Sequence, residues 1–217
     1  MREMKLPDSG PKRKLFDAAT RLFAERGFDL VSVREICAAG GANIAAVNYH
    51  FGSRDELVAW VMTSHLAPVL EARAARLDSL EKAGGKGVAL EAILEALVQP
   101  IVLSAQQSEL HDLLFFKLIG MIFQQNPENL PSELRAQLAL NTERFKRAFA
   151  SIVPSLSADE LAWRLQFTLG ALSDLLVRVD GAQAESAGSM DRVLERFVRY
   201  AAAGMRGGVA AEVGEFA

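Results

Sequence analysis

The segment Val31–Arg54, VSVREICAAGGANIAAVNYHFGSR, leaves this chain few choices of fold. Ser32 followed three residues later by Glu35 is a capping box, in which hydroxyl and carboxylate each satisfy a backbone N–H that a helix start leaves free. Val33, Ile36 and Cys37 then share one face, Gly40-Gly41 breaks the chain, and Asn43 caps a second helix of about Ile44–His50 that Gly52-Ser53 ends. Helices this short cannot bury a core of their own. The pair therefore predicts two helices across a tight turn, packed on neighbours, with Asn48, Tyr49 and His50 on a surface shaped to enter a groove.

Glycine and proline divide the rest of the chain into apolar segments of helical length, with no sustained apolar/polar alternation, so an all-α fold is expected. The first helix, about Lys12–Arg26, places Leu15, Ala18, Ala19, Leu22 and Phe23 on one face, and Gly27 stops it. A second capping box, Ser53–Glu56, opens a long fourth helix carrying Leu57, Val58, Val61, Met62 and Leu66, which either kinks or ends near Pro68 before Gly84-Gly85. Further helices are predicted over Val88–Ser104, Glu109–Gln124, Pro131–Ile152, Ala158–Val179 and Met190–Met205, with a third box at Ser157–Glu160. There is no internal repeat. The reading gives an N-terminal three-helix unit with a basic arm over 1–55, linked by the long helix to a helical domain over 56–205, and a Gly/Ala-rich flexible tail over 206–217.

Half of the 217 residues are apolar, enough for a full core. The single cysteine, Cys37, excludes an internal disulfide and any cysteine-cluster metal site, fits a reducing compartment, and reads as a small core residue. No apolar run near the N-terminus could serve as a signal peptide, and Leu113–Phe123 is broken by Lys117 and short of the ~20 residues that span a bilayer. No membrane association and a cytoplasmic location are expected. Net charge is −3, but residues 1–60 hold 9 Lys/Arg and 8 Asp/Glu (+1) against 15 and 19 over residues 61–217 (−4). Arg2, Lys5, Lys12, Arg13 and Lys14 face only Glu3 and Asp8, as a basic arm lying along phosphates or as a solvated tail. His50, His65 and His111 lack metal-ligand spacing, and there is no Gly-rich phosphate loop, Gly-x-Ser-x-Gly or His-Glu-x-x-His. No catalysis, metal or cofactor is expected.

Ala45 and Ala46 lack bulk, which lets the helix backbone sit deep in a major groove and offers methyl groups to thymine. Asn43 and Asn48 carry amides suited to adenine edges or phosphates, and Tyr49, His50 and Arg54 stand where donors reach the phosphate backbone. Lys12, Arg13, Ser32 and Arg34 complete the candidate DNA-binding set. At this point residues 12–62 resemble the DNA-binding domain of the TetR family of one-component regulators. The matching stretches are Ser32-Val-Arg-Glu-Ile-Cys-Ala-Ala-Gly-Gly-Ala-Asn43 and Tyr49-His-Phe-Gly-Ser-Arg-Asp-Glu-Leu57. The resemblance implies a two-domain, all-helical homodimer whose helix-turn-helix binds a palindromic double-stranded DNA operator. Its variable C-terminal domain would hold an inducer pocket and the dimer interface. Asn43 stands where most members have Ser or Thr, and Arg54 where Lys is usual; both exchanges preserve capping and phosphate binding. Apolar Ile44 either touches a thymine methyl or staples the turn, the staple being the more usual role.

Beyond residue 62 the likeness is looser. Asn43–Ser53 together with Trp163-Arg-Leu-Gln-Phe-Thr-Leu-Gly-Ala171 resembles a subgroup that includes the fatty-acid-responsive repressor PsrA, which implies an acyl effector. The residues themselves make helix 109–124 apolar nearly all round, so it must be buried on several sides, by other helices, by a second subunit or around a ligand. Core packing is the usual fate of such residues. A cavity between helices 88–104, 109–124 and 158–179 would be lined by Leu94, Val98, Phe115, Phe116, Ile119, Phe123, Trp163 and Phe167, and would suit a small apolar effector. Leu165, Leu169, Gly170, Leu172 and Leu176 on one helix, and Val193 and Phe197 on the last, form stripes fit for a four-helix dimer interface, although packing within one chain could use them too. The expected function is a ligand-responsive regulator, a repressor released from its operator by an apolar molecule such as a fatty acid or acyl derivative. The alternatives are a helical small-molecule-binding protein and an interaction adaptor, neither acting on DNA.

Overall fold

The computed structural model describes residues 9–83, 87–178 and 189–207, and the regular elements among them are all helical. In chain order these are α1 (Pro11–Arg26), α2 (Val33–Gly40), α3 (Ile44–Phe51), α4 (Arg54–Lys82), α5 (Leu90–Gln107), α6 (Asp112–Phe123), α7 (Ser132–Ile152), α8 (Ala158–Arg178) and α9 (Met190–Arg206). A single 3-10 turn, Pro127–Asn129, precedes α7. Arg2 and Lys5, Gly84-Gly85 and all but the first two residues of the expected tail lie outside the described residues.

Local chemistry sets the helix boundaries. Pro11 occupies the first turn of α1, where its missing N–H costs nothing, and Gly27 ends the helix at φ 91° with its N–H bonded to the Phe23 carbonyl at 2.8 Å. The box before α2 is complete: Glu35 N–H donates to Ser32 Oγ at 3.3 Å and Ser32 N–H to Glu35 Oε2 at 2.9 Å. The other two form by halves. Ser53 and Ser157 each accept the expected N–H at 3.1 Å, but Glu160 turns to Arg164 Nε at 2.6 Å and Glu56 folds over Gly52, into the space a Cβ would fill. For Glu160 the Arg164 cation is a stronger partner than a solvated N–H.

The long helix continues through Pro68. At ~1.5 Å per residue its 29 residues span roughly 43 Å. Proline removes one backbone bond and faces solvent, while Leu66, Val69 and Leu70 beside it are fully buried, so packing holds the helix together across the lost bond. Around α4 the first three helices enclose Leu15, Phe23, Ile36, Val47 and Leu57, and α5 to α9 form the second, larger mass. Its centre is α6, with Phe115, Phe116, Leu118, Ile119 and Ile122 buried. Helix α8 lies on α6 at Gly120, where an added Cβ would stand 2.8 Å from Val177 Cγ2 and 2.9 Å from Leu176 Cβ and the Ser173 carbonyl.

The two masses also touch directly. Lys117 Nζ on α6 donates to the Glu25 carbonyl of α1 at 3.0 Å, and Arg13 of α1 pairs with Glu109 just before α6. At the other end, Arg164 Nη1 donates to the Gly204 and Gly207 carbonyls at 2.8 and 2.6 Å, satisfying the C-terminal end of α9.

Candidate functional site

Helix α3 is held from one side only. Val47 and Phe51 are buried against α1, α2 and α4, and Asn43 Oδ1 accepts the Ala46 N–H at 3.0 Å to cap the start. The opposite face is left to solvent: Asn43, Ala45 and Asn48 are exposed, Tyr49 is 85 % exposed, and Ile44 is 47 % exposed. His50 is half-buried with its ring edge against Tyr49, centroids 5.0 Å apart, and Arg34 and Ser32 are exposed on the preceding helix and its cap.

Three cations expected at phosphates have other duties. Arg54 is drawn inward, donating from Nε to the Val31 carbonyl at 3.1 Å and from Nη2 to the Phe28 carbonyl, with its plane over Phe23. It ties the start of α4 to the loop after α1, so its guanidinium is spent within the chain. Arg13 points to the other side of α1, paired with Asp17 at 2.7 Å and with Glu109, and these carboxylates raise its pKa. Lys12 Nζ sits 3.9 Å above the Trp60 ring and 5.5 Å from Phe51. Apart from Asp17, one turn along α1 from Arg13, sequence spacing does not reveal these partners, because each lies 23 or more residues away.

In the second mass, a cavity of about 450 Å³ opens between α7 and α8 and reaches inward to α4, α5 and α6. That volume is in the range of small-molecule sites. Its walls include Leu97, Phe123, Leu138, Phe145, Phe149, Leu165, Leu169 and Leu172, with Thr142, Glu143, Ala162, Gln166 and Gly170 at the exposed mouth. Of the residues expected at a cavity, only Phe123 lines it. Leu94, Val98, Phe115, Phe116 and Ile119 are buried elsewhere in the core, and Trp163 and Phe167 stand on the outer surface. An apolar side chain has the same pattern whether it fills a core or borders a void, so the pattern could not separate them.

Arg73 and Asn141, which spacing alone does not single out as a pair, supply polar groups in this cavity. Arg73 is 3 % exposed and donates from Nε to the Leu97 carbonyl at 2.7 Å, with its guanidinium 4.9 Å from the Phe123 ring centre. Its Nη2 is buried with no hydrogen-bond partner, and burial lowers its pKa to about 9. Asn141 donates from Nδ2 to the Leu70 carbonyl at 3.1 Å and leaves Oδ1 buried and unpartnered. A signal was present: Arg73 falls in register with Leu66, Leu70 and Leu77, a charge at a core position of α4.

The expected association stripe lies mostly inside the chain. Leu165, Leu172, Leu176 and Phe197 are buried within the chain, and Leu169 and Val193 are partly so, because α8 and α9 use those faces against α6, α5 and each other. Only Gly170 of that set is exposed. The free apolar face of α8 is Trp163, Phe167 and Gly170, spaced four and three residues apart, with the two rings stacked at 5.8 Å. Tyr200, exposed on α9, adds to the chain's outer aromatic surface.

Comparison with known proteins agrees with this architecture. Residues 15–61 match the model of bacterial regulatory proteins of the tetR family, and residues 95–204 match the tetracyclin repressor-like C-terminal domain. No curated protein matches the chain. Among solved structures it is similar to the TetR family transcriptional regulator PfmR from Thermus thermophilus, at 19 % identity and a TM-score of 0.56 over 94 % of this chain and 100 % of that one. It is similar also to a TetR-like regulator from Rhodococcus sp. RHA1 (19 %, 0.58, 94 % and 100 %) and to a TetR-family regulator from Bordetella parapertussis 12822 (15 %, 0.59, 88 % and 93 %). Identities this low speak for the fold alone. With the two family models covering the DNA-binding helices and most of the rest, the chain belongs to the TetR family of transcriptional regulators.

Proposed function

We propose that this protein is a homodimeric repressor that leaves a palindromic operator when a small apolar molecule, such as a fatty acid or acyl derivative, enters the cavity between α4, α5, α6, α7 and α8. The observation that carries the reading is that α4 belongs to both ends of the device: its first turn is bonded to the DNA-binding helices through Arg54, and its third quarter forms a wall of the cavity through Arg73. A ligand that shifts α4 therefore shifts α3. In a dimer the two α3 helices would need a separation of ~34–36 Å to enter successive major grooves, so a tilt of either α4 favours a form that fits DNA less well. The coupling expected of such a device is about 1–3 kcal/mol. The mostly apolar walls, and the likeness of residues 43–53 and 163–171 to a subgroup that includes a fatty-acid-responsive repressor, support an acyl ligand over a sugar or nucleotide.

The test uses a duplex selected by the wild-type protein from a random library. Asn48→Ala combined with Tyr49→Ala should weaken binding to it at least tenfold, as expected when base-edge or backbone contacts worth ~1–3 kcal/mol are lost, with no change in melting temperature because both side chains are exposed. Undiminished binding would place the DNA surface elsewhere. A helical binding protein or adaptor would select no duplex at all and show no salt dependence.

A further inference from the structure

The cavity walls are mostly apolar, Thr142, Gln166 and the Glu143–Lys146 pair lie towards the mouth, and one further charge, Arg73, lies deep inside. Arg73 is nine-tenths or more buried and makes no ion pair among the described residues; the Leu97 carbonyl and the Phe123 ring are the groups that face its charge. Burying a cation without a counter-charge is costly, and removing the unused donor Nη2 from water adds to that. The one carboxylate among the described lining residues, Glu143, sits at the exposed mouth with Lys146 Nζ 4.0 Å away, and forms no ion pair with Arg73. The chain thus holds a positive charge in an apolar chamber and does not neutralise it.

We infer that Arg73 is the anchor for the anionic head of the effector, and that this cavity takes an amphipathic molecule with a free carboxylate rather than a neutral lipid, ester or thioester. The inference rests on reading the cavity as the effector site and specifies its ligand class. A planar carboxylate matches the guanidinium and uses the idle Nη2 donor, in surroundings where a charge-assisted hydrogen bond is strong. The hydrocarbon body then lies against Phe145, Phe149, Leu165 and Leu172 towards the mouth. Asn141 Oδ1, an acceptor, takes a hydrogen from a hydroxyl or water beside the head group. Small inorganic anions lack the body that would replace water along the walls, and an ester or thioester lacks the charge.

Calorimetric titration of the full-length protein, without DNA, distinguishes these cases. Decanoate should bind at least tenfold tighter than 1-decanol, and phosphate and acetate should not bind. Arg73→Met should bring decanoate down to the affinity of decanol. Arg73→Lys should keep part of the preference, and Lys146→Gln at the mouth should leave it intact. Equal binding of decanoate and decanol to the wild type would overturn the inference, and that comparison needs no variant to fold. So would an Arg73→Met protein that folds and keeps its preference, or a Lys146→Gln protein that loses it. The broader reading fails separately: decanoate that binds through Arg73 yet leaves operator binding unchanged would sink the repressor mechanism and spare the anchor, while decanol that releases DNA without any preference for decanoate would do the reverse.

Discussion

His65 of α4 lies between two aromatic rings, stacked on Phe16 of α1 and edge-on to Phe115 of α6, each centroid 5.9 Å away. Its Nε2 is shut off from solvent without a partner, and burial, with Arg13 adding repulsion, lowers its pKa from 6.5 to about 4. The sign of the consequence follows. The unfolded chain takes up a proton near pH 6.5 and the folded chain resists it until about 4, so the unfolded state binds more protons between those values and stability falls as the pH drops. Between pH 6.5 and 5 the loss should be on the order of 2 kcal/mol. His65→Phe, which keeps the ring contacts and cannot charge, should flatten the melting temperature over that window; an unaltered slope would assign the effect to other groups. Nothing in the spacing of His65 marked it, since its environment comes from two other helices. Cys37, by contrast, is buried as its place on α2 predicted, and burial raises its thiol pKa.

At the scale of elements, helix existence was legible because caps and stops are local. Gly27, the Ser32–Glu35 box, Asn43 and Ser53 all act within four residues, and the boundaries of α1, α2 and α3 fall within a residue of those expected. Which face of a helix meets which partner was not legible. Helix α8 carries a leucine stripe and an aromatic stripe, and only docking on α6 shows that the leucines go inward. That docking depends on Gly120, so Gly120→Ala should destabilise the protein by ~1–3 kcal/mol in chemical denaturation, the usual cost of forcing a methyl into a filled contact. Gly170→Ala on the open side of α8 meets nothing within 4 Å and should be neutral or slightly stabilising. Equal effects at the two glycines would show that α6 and α8 are packed less closely.

For the whole molecule, the helices that line the cavity also reach the DNA-binding helices on one side and the outer surface on the other. Helices α4 and α6 each touch both the cavity and the DNA-binding helices, α6 through Phe123 at one end and Lys117 against α1 along its length. On the proposed dimeric reading, a second subunit would dock on the exposed outer face of α8. Trp163→Ala with Phe167→Ala should shift the protein towards monomer in sedimentation velocity, with an unchanged helical signal, since both rings are exposed. Operator affinity should fall at least tenfold with it, because a single half-site is left to each chain. A double variant that stays dimeric would move the interface to another surface.

From its sequence alone the chain was bound to be helical, to carry a capped helix-turn-helix, and to present Asn48 and Tyr49 outward, because these follow from hydrogen-bond caps, glycine stops and the 3.6-residue period. Tertiary packing decided the rest. Arg54 became a tether and Arg13 a bridge once distant carbonyls and carboxylates came within reach, the leucines of α8 went to the core, and the cavity opened between α7 and α8 with Phe123 the one α6 aromatic on its wall. Those outcomes depend on how helices of fixed shape fill space together, and a cavity is the space they leave unfilled.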